Sequence, residues 1–183
     1  MDAQIDCSSV ARFGKTQDRR FLHIHAEMQK SLADRSCGRE VCLHEAAHAE
    51  LMEQDGILNV RFVGPNILYN PYIDQFIASS AQAIGDDQPN AVVTDDYVFM
   101  IVCHMVAGGV VLRLNGKAET GDDGDFQDFK KRYAAYPPKS GESADAIWKR
   151  AQEVVAARLS EQQTKQGVNE RAEKYFHLLY PGE

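Results

Sequence analysis

A short run near residue 44 carries the pattern that most constrains this chain. His44-Glu45-Ala46-Ala47-His48 holds two histidines four residues apart, and on a helix such residues share one face, about 6 Å apart at Cβ. That separation lets both rings reach one Zn²⁺ at about 2.0–2.1 Å. Glu45 lies beside the first ring, where it can act as general base on a metal-bound water. The alternative is a surface helix that carries two histidines by accident. We expect a zinc site, because the alanines form helix readily and keep the surroundings small.

Composition and charge are those of a globular chain without a nucleic-acid surface. The chain has 183 residues, of which 44% are hydrophobic and 26% are charged, as is typical of globular proteins. At this length one domain with its own hydrophobic core is the default, so we take residues 1–183 as a single domain. The net charge of −7 gives no basic excess to neutralise phosphates, and we expect no nucleic-acid partner.

Cysteine usage and hydropathy predict a cytoplasmic protein without a membrane span. The four cysteines form no Cys-x-x-Cys pair, and Met1–Lys15 lacks the apolar segment of a secretory signal. We therefore expect free thiols in a reducing compartment. The longest apolar stretch, Tyr97–Leu112, has about sixteen residues, fewer than the roughly 20 needed to cross a bilayer. We interpret it as a buried core helix.

Hydrophobic periodicity predicts a mostly helical α+β fold with one small β-sheet. We expect Ser36-Cys37-Gly38 to separate the first two helices, and Gly108-Gly109 to allow close helix–helix approach. Residues 1–16 should be loosely ordered, 39–136 should form the metal-site core, and 140–183 should form C-terminal helices. The predicted strands cover 57–63 and about 68–73, with a loop over the site, and the predicted helices cover about 17–34, 39–54, 91 or 94–114, 123–136, 143–163 and 168–179.

A catalytic zinc needs a third protein ligand, because three side chains leave the fourth position open. Leu51 and Gln54 stand where a metzincin has a glycine and a third histidine, which excludes that class. The accompanying motifs of peptide deformylase are missing. Glu170 weakly resembles the glutamate that thermolysin-like enzymes take from a second helix, but the accompanying aspartate is missing.

An acidic turn before the 123–136 helix offers further candidates for this ligand. The helix dipole favours a carboxylate at such a position, and Gly121 and Gly124 permit a tight approach. We also expect Asp122 or Asp123 to cap the helix. The residues alone leave open which aspartate binds the metal. Four of them qualify chemically: Asp122, Asp123, Asp125 and Asp128.

Residues 39–136 resemble the peptidase domain of the FtsH family of ATP-dependent zinc metalloproteases, through four features in the same order. His44-Glu45-Ala46-Ala47-His48-Ala49 resembles the family's His-Glu-Ala-Gly-His-Ala helix, and Val60-Arg61-Phe62-Val63-Gly64-Pro65 is similar to the strand that follows it. Ala107-Gly108-Gly109 resembles the small-residue pair in the next long helix. Thr120-Gly121-x-x-Gly124-Asp125 resembles the turn whose final aspartate is the third zinc ligand, which implies Asp125. The resemblance implies a zincin-like metalloprotease fold.

The chain departs from the family in three places. Ala47 replaces a glycine, which a helix interior tolerates. Val110-Val111-Leu112-Arg113 replaces the family's Arg-x-Ala-Glu, so any role of that glutamate is absent. The phosphate-binding loop Gly-x-x-x-x-Gly-Lys-Ser/Thr does not occur, and the length leaves no room for an ATPase module. We therefore do not expect the family's unfolding activity or membrane anchor in this chain.

The leading hypothesis is a stand-alone zinc metallopeptidase. His44, His48 and Asp125 would hold Zn²⁺, and Glu45 would take a proton from the activated water and return it to the leaving amine. The strand over residues 57–63 would pair with an extended peptide or protein substrate, as strand edges do.

Two other hypotheses stay open. One is a zincin-like binding or regulatory protein with zinc bound but little proteolytic activity, because the motor that supplies the family's substrates is absent. The other is a structural helical protein without metal. A homo-oligomer and a separate ATPase partner are further possibilities that the sequence leaves open. His104 and Tyr97 are candidate oxyanion donors, although packing is the role that we expect for both.

Overall fold

The computed structural model describes residues 3–86, 94–117, 122–135 and 137–182, and it shows an α+β protein that is mostly helical. The predicted coarse class is therefore confirmed, and each predicted helix is present. The helices are α1 (Ser8–Arg12), α2 (Arg19–Ala33), α3 (Arg35–Gln54), α4 (Asp95–Leu114), α5 (Asp122–Ala135), α6 (Ala144–Ser160) and α7 (Gln162–Leu179). The strands are β1 (Leu58–Val63), β2 (Asn66–Asn70), β3 (Gln75–Ser79) and β4 (Gln82–Asp86).

Helix α4 forms the centre of the core and packs against both α3 and α6. Its second half is buried almost throughout, and Val106 and Ala107 are fully inaccessible. By length and composition α4 is apolar enough to cross a membrane. Here its apolar side chains fill the space between neighbouring helices, which accounts for its composition. The prediction that Tyr97–Leu112 lies in a core helix is confirmed.

The junction of α2 and α3 is a single residue, Asp34, and the predicted break at Ser36-Cys37-Gly38 was wrong. The Asp34 side chain accepts the backbone N–H two residues ahead at 2.9 Å, which caps α3. Gly38 lies inside α3, where a Cβ would come closer than 3.0 Å to the ring of Tyr180. Tyr180 is fully buried, and its hydroxyl donates to the Leu32 carbonyl at 2.8 Å. The glycine therefore serves close packing and does not end a helix.

Two antiparallel two-stranded sheets stand where one sheet was predicted. β1 pairs with β4, with Phe62 opposite Ala83, and β2 pairs with β3, with Leu68 opposite Ile77. Sequence analysis found β1, placed the second strand a few residues late, and predicted a loop where β3 and β4 lie. Most residues of β3 and β4 are at least partly exposed, so the alternation that reveals a strand is weak in both.

Residues 3–16 are tied to β2, which differs from the loosely ordered start that we expected. Val10 of α1 is fully buried. The Asp6 N–H donates to the Pro65 carbonyl at 2.8 Å, and the Asp6 carbonyl accepts from the Ile67 N–H at 2.9 Å. One buried valine and one backbone bridge order the segment, and neither produces a periodic pattern in the sequence.

Helix α7 begins at Gln162, earlier than predicted, because Glu161 both ends α6 and precedes α7. The chain thus turns between the two helices without a loop. Gly167 of α7 faces the Glu50 carboxylate of α3. A Cβ added at Gly167 would come closer than 3.0 Å to that carboxylate. The α3·α7 contact is extensive, so α7 supports α3. Tyr175 of α7 also stacks on Phe62 of β1, at a centroid distance of 4.4 Å.

Candidate metal centre

Helix α3 presents both histidines of the motif on one face. The ring centroids of His44 and His48 lie 4.6 Å apart, as expected for residues one turn apart on a helix. Their side chains are 14% and 9% exposed, so water reaches each ring only in part. Ala46 and Ala47, between them in sequence, are fully buried in the core. Burial of the alanines therefore fixes which way the two rings point.

Asp125, in the first turn of α5, brings a carboxylate to the same point. Its Oδ2 lies 3.6 Å from His44 Nε2 and 3.8 Å from His48 Nε2. All three ligand atoms lie within 4.8 Å of one another. Tetrahedral Zn²⁺ with bonds of about 2.0–2.1 Å needs ligand atoms roughly 3.4 Å apart. The two Oδ2 distances exceed this spacing by about 0.2–0.4 Å, and no two of the ligand atoms lie more than 4.8 Å apart, so these three residues could hold a zinc ion.

The other acidic candidates do not reach the histidines within the described part of the chain. Asp128 pairs with Lys131 at 3.1 Å and is well exposed. Glu170 accepts a hydrogen bond from Gln166 within α7. Asp125 is the carboxylate that the described side chains place against both rings. Four members of the predicted turn lie outside the described residues, either entirely or in their side chains: Thr120, Gly121, Asp122 and Asp123.

Aromatic packing holds α5 in the position that brings Asp125 to the histidines. Phe129 is 3% exposed, and its ring stacks on Trp148 of α6 at a centroid distance of 5.6 Å. Phe126 contacts the same indole at 4.9 Å. Because Phe129 follows Asp125 by four residues, both side chains project from one side of α5. Burial of the phenylalanine therefore turns the carboxylate inward as well.

Helix α4 contacts each histidine at a different residue. A Cβ at Gly108 would come closer than 3.0 Å to the His44 ring, so the glycine allows the close approach that we predicted. One turn earlier, the His104 carbonyl accepts the His48 Nδ1–H at 2.5 Å. That bond places the proton on Nδ1 and leaves the Nε2 lone pair for a metal. Sequence analysis missed this contact, because a backbone atom makes it.

The rings of His104 and Tyr97 do not act as oxyanion donors in this arrangement. The His104 ring is almost fully buried, and its Nε2–H donates to Asp55 at 2.8 Å. Burial lowers the pKa of His104, although the Asp55 carboxylate opposes that effect. Tyr97 lines a separate apolar pocket of about 310 Å³ between α4 and α5. The ring of His104 is thus engaged with Asp55, and the packing role expected for Tyr97 stays a prediction.

Glu45 lies beside the ligands and is held by β4. Its Oε2 accepts the Ala83 N–H at 2.6 Å. Burial raises the pKa of the Glu45 carboxyl above its ordinary value, while the electrostatic effect of the His48 ring and the hydrogen bond from the Ala83 N–H oppose the rise. A carboxyl group in a fixed orientation with a raised pKa has the properties of a general base.

A cleft of about 750 Å³ contains the three ligands and Glu45. Residues of β3 and β4 line one side of it, and residues of α4 and α5 line the other. One edge of β4 pairs with β1, while the Ala83 N–H on its other edge points to Glu45. Residues 57–63 do not line the cleft, so their predicted pairing with a substrate stays a prediction that the cleft does not support. Among the described strands β2, β3 and β4 border the cleft, and β1 pairs with β4 behind it.

Comparison with known proteins adds no relative, since no protein-family model, curated protein or solved structure matches the chain. The resemblance to the FtsH peptidase domain therefore stays a prediction, and so does the zincin-like fold. The geometry of His44, Glu45, His48 and Asp125 is what bears on function.

Proposed function

We propose that this chain is a zincin-like zinc metallopeptidase, similar to the FtsH peptidase domain. The observation that carries the proposal is the convergence of His44, His48 and Asp125, from two helices, on one point of a cleft. A structural zinc site would be closed by a fourth protein ligand. Among the side chains that the structure describes, three candidate ligands face the same cleft as the carboxylate of Glu45, which supports hydrolysis.

The chemistry follows from the roles of these four side chains. His44, His48 and Asp125 would hold Zn²⁺, which supplies a Lewis acid that polarises a carbonyl and acidifies a water molecule. Glu45 takes a proton from the attacking water as the water oxygen bonds to the scissile carbon. When the C–N bond breaks, Glu45 returns the proton to the leaving nitrogen, so the products are an amine and a carboxylic acid.

The cleft is suited to an extended peptide. Leu68 and Ile77 line it from the β2–β3 hairpin, and their side chains are about half exposed, at 46% and 50%. A peptide that lies along the outer edge of β4 would cover this apolar surface, as added strands do. A folded substrate would first have to be opened. For such substrates we propose a separate ATPase as the partner.

The test combines metal content with hydrolysis of a peptide library. The wild-type chain should carry one zinc by elemental analysis, and Glu45→Gln should keep that zinc. Its hydrolysis should fall by about 10²–10⁴-fold, because the amide cannot take the proton. Retained activity in Glu45→Gln would contradict the mechanism.

Matched variants locate the ligands in the same experiment. His44→Ala and Asp125→Ala should lose the metal. Asp128→Ala, one turn further along α5, should retain it, because Asp128 is paired with Lys131. Zinc retained in Asp125→Ala would overturn the assignment of the third ligand. A wild-type chain with one zinc and no hydrolysis would favour the binding or regulatory alternative.

A further inference from the structure

A buried polar network behind the candidate metal centre joins three helices. Asp55, at the C-terminus of α3, accepts the Nε2–H of His104 from α4 at 2.8 Å. It also accepts two hydrogen bonds from Arg158 of α6, at 2.9 and 3.0 Å. The side chains of Asp55, His104 and Arg158 are only 20%, 4% and 26% exposed. Shielded charges of this kind persist only with well-placed partners, so the geometry of the network is specific.

The network lies beside a regular register between α3 and α4. His44 of α3 faces Gly108 of α4, and His48 faces His104. A step of four residues toward the C-terminus of α3 therefore matches a step of four residues toward the N-terminus of α4. The two helices are therefore antiparallel and matched turn for turn. A helical side chain leans toward the N-terminus of its own helix. The His104 ring thus extends past His48 toward Asp55, while the His104 carbonyl stays at His48.

We propose that Asp55, His104 and Arg158 form a positioning network for the metal ligand His48. By fixing the His104 ring, the network fixes the His104 carbonyl, and that carbonyl selects the His48 tautomer with the proton on Nδ1. One part of the inference rests on the proposed function, namely that this tautomer presents Nε2 to zinc. The network and the tautomer themselves do not depend on it. None of the three side chains is catalytic, since each acts through His48.

Burial also constrains the pKa of the network's carboxyl group. Burial alone would raise the pKa of Asp55, but the hydrogen bonds from Arg158 and His104 outweigh it and leave the pKa below its ordinary value. Asp55 is therefore an anion that accepts from both neighbours. Asp55 Oδ2 accepts from both His104 and Arg158, and Oδ1 accepts the second guanidinium N–H. An amide removes the charge and turns an NH₂ group toward at least one of these three donors, which then lacks its partner. Asp55→Asn is thus the smallest change that disturbs the network.

Glu53→Gln is the matched control. Glu53 lies two residues earlier in the last turn of α3 and pairs with an arginine of another helix, Arg171 of α7, at 2.6 Å. The substitution removes the same charge from the same turn. The Glu53→Gln substitution does not touch α4. An effect of lost charge or lost stability would therefore appear in both variants, whereas an effect of lost positioning would appear only in Asp55→Asn.

The first measurement is the tautomer of His48 in the metal-free protein, from histidine ring ¹⁵N NMR spectra. The wild-type chain and Glu53→Gln should show His48 protonated at Nδ1, and Asp55→Asn should show a mixture of tautomers. This readout needs no zinc, so it tests the network separately from the proposed function. An unchanged tautomer in Asp55→Asn would overturn the inference.

The second measurement is the dissociation constant for Zn²⁺, by competition with a chelating dye. Groups that orient a ligating histidine typically contribute about 10–100-fold in metal affinity, and Asp55→Asn should weaken binding within that range. Glu53→Gln should bind zinc as the wild-type chain does. Equal losses in both variants would overturn the positioning role. A wild-type chain that binds no zinc would overturn the proposed function instead.

Arg158→Lys provides a second variant in case Asp55→Asn does not fold. Lysine keeps the positive charge but cannot make the paired hydrogen bonds of a guanidinium. It should change the His48 tautomer and zinc affinity in the same direction and to a smaller extent. A folded Arg158→Lys protein with both properties unchanged would overturn the inference.

Discussion

At the scale of single residues, the absent side chain of Gly108 matters as much as the ring that it faces. An added Cβ would come closer than 3.0 Å to the His44 imidazole, and the ring could withdraw only by moving its Nε2 relative to Asp125. We predict that Gly108→Ala weakens zinc binding about tenfold or more, although alanine favours a helix by about 1 kcal/mol. Calorimetric titration with Zn²⁺ measures the effect.

The control for this variant is Gly124→Ala. Gly124 adjoins the ligand Asp125 in sequence, but a Cβ there would meet nothing within 4 Å. Its zinc affinity should match that of the wild-type chain. Wild-type affinity in Gly108→Ala, with the helix content of circular dichroism preserved, would show that the His44 ring has room that the structure does not suggest.

How far each site residue could be predicted depends on what determines its position. His44, Glu45 and His48 belong to one helix, so their spacing alone brought them together. Asp125 was implied only by a family resemblance, because neighbouring aspartates had the same chemistry. Its selection depends on the burial of Phe129 against α6, which is a tertiary contact. The His104 carbonyl could not be predicted at all, since every residue carries that group.

At the scale of elements, Gly38 determines how closely α3 approaches the C-terminal segment. We predict that Gly38→Ala lowers the free energy of unfolding by about 1–3 kcal/mol, because overpacking costs more than the helix propensity gained. The added methyl would displace the Tyr180 ring and its buried hydrogen bond to Leu32. Urea unfolding of the metal-free protein measures the change.

Gly124→Ala again serves as the control, because it makes the same substitution in a helix with open space around the new methyl. Its stability should equal or exceed that of the wild-type chain. A stability loss in Gly124→Ala as large as that in Gly38→Ala would remove packing as the explanation. A Gly38→Ala protein that unfolds at the same urea concentration as the wild-type chain would also contradict the packing explanation.

The elements differ in how far local sequence determines them. Long helices with apolar faces were found because each buries a periodic stripe. Their ends agree within four residues except for α7, which begins six residues earlier than predicted. β3 and β4 were missed, because pairing partners rather than alternation define them. The predicted break at Gly38 failed for a related reason. Glycine in a sequence indicates either a helix end or a close contact, and only the position of Tyr180 distinguishes the two.

At the scale of the whole molecule, the candidate site joins parts of the chain that other contacts already hold together. α4 packs against α3, which carries the histidines, and against α6. α6 in turn carries Trp148, on which α5 and its Asp125 are docked. The protein therefore does not need a metal to place the ligands near one another. A metal would add a direct link between α3 and α5.

Chelation should consequently lower stability without unfolding the chain. Zinc at about 100 times its dissociation constant stabilises a folded protein by about 2.7 kcal/mol, and each kcal/mol shifts the Tm of a chain this long by about 2–4 °C. We predict that EDTA lowers the Tm of the zinc-loaded wild-type protein by about 5–10 °C, measured by calorimetry. Asp125→Ala should melt near the EDTA-treated temperature and should not respond to EDTA, because its link is already lost. A wild-type Tm that EDTA leaves unchanged would show that no metal joins α3 and α5. Cooperative loss of all helical structure on addition of EDTA would show that α4 and α6 do not hold the ligands by themselves.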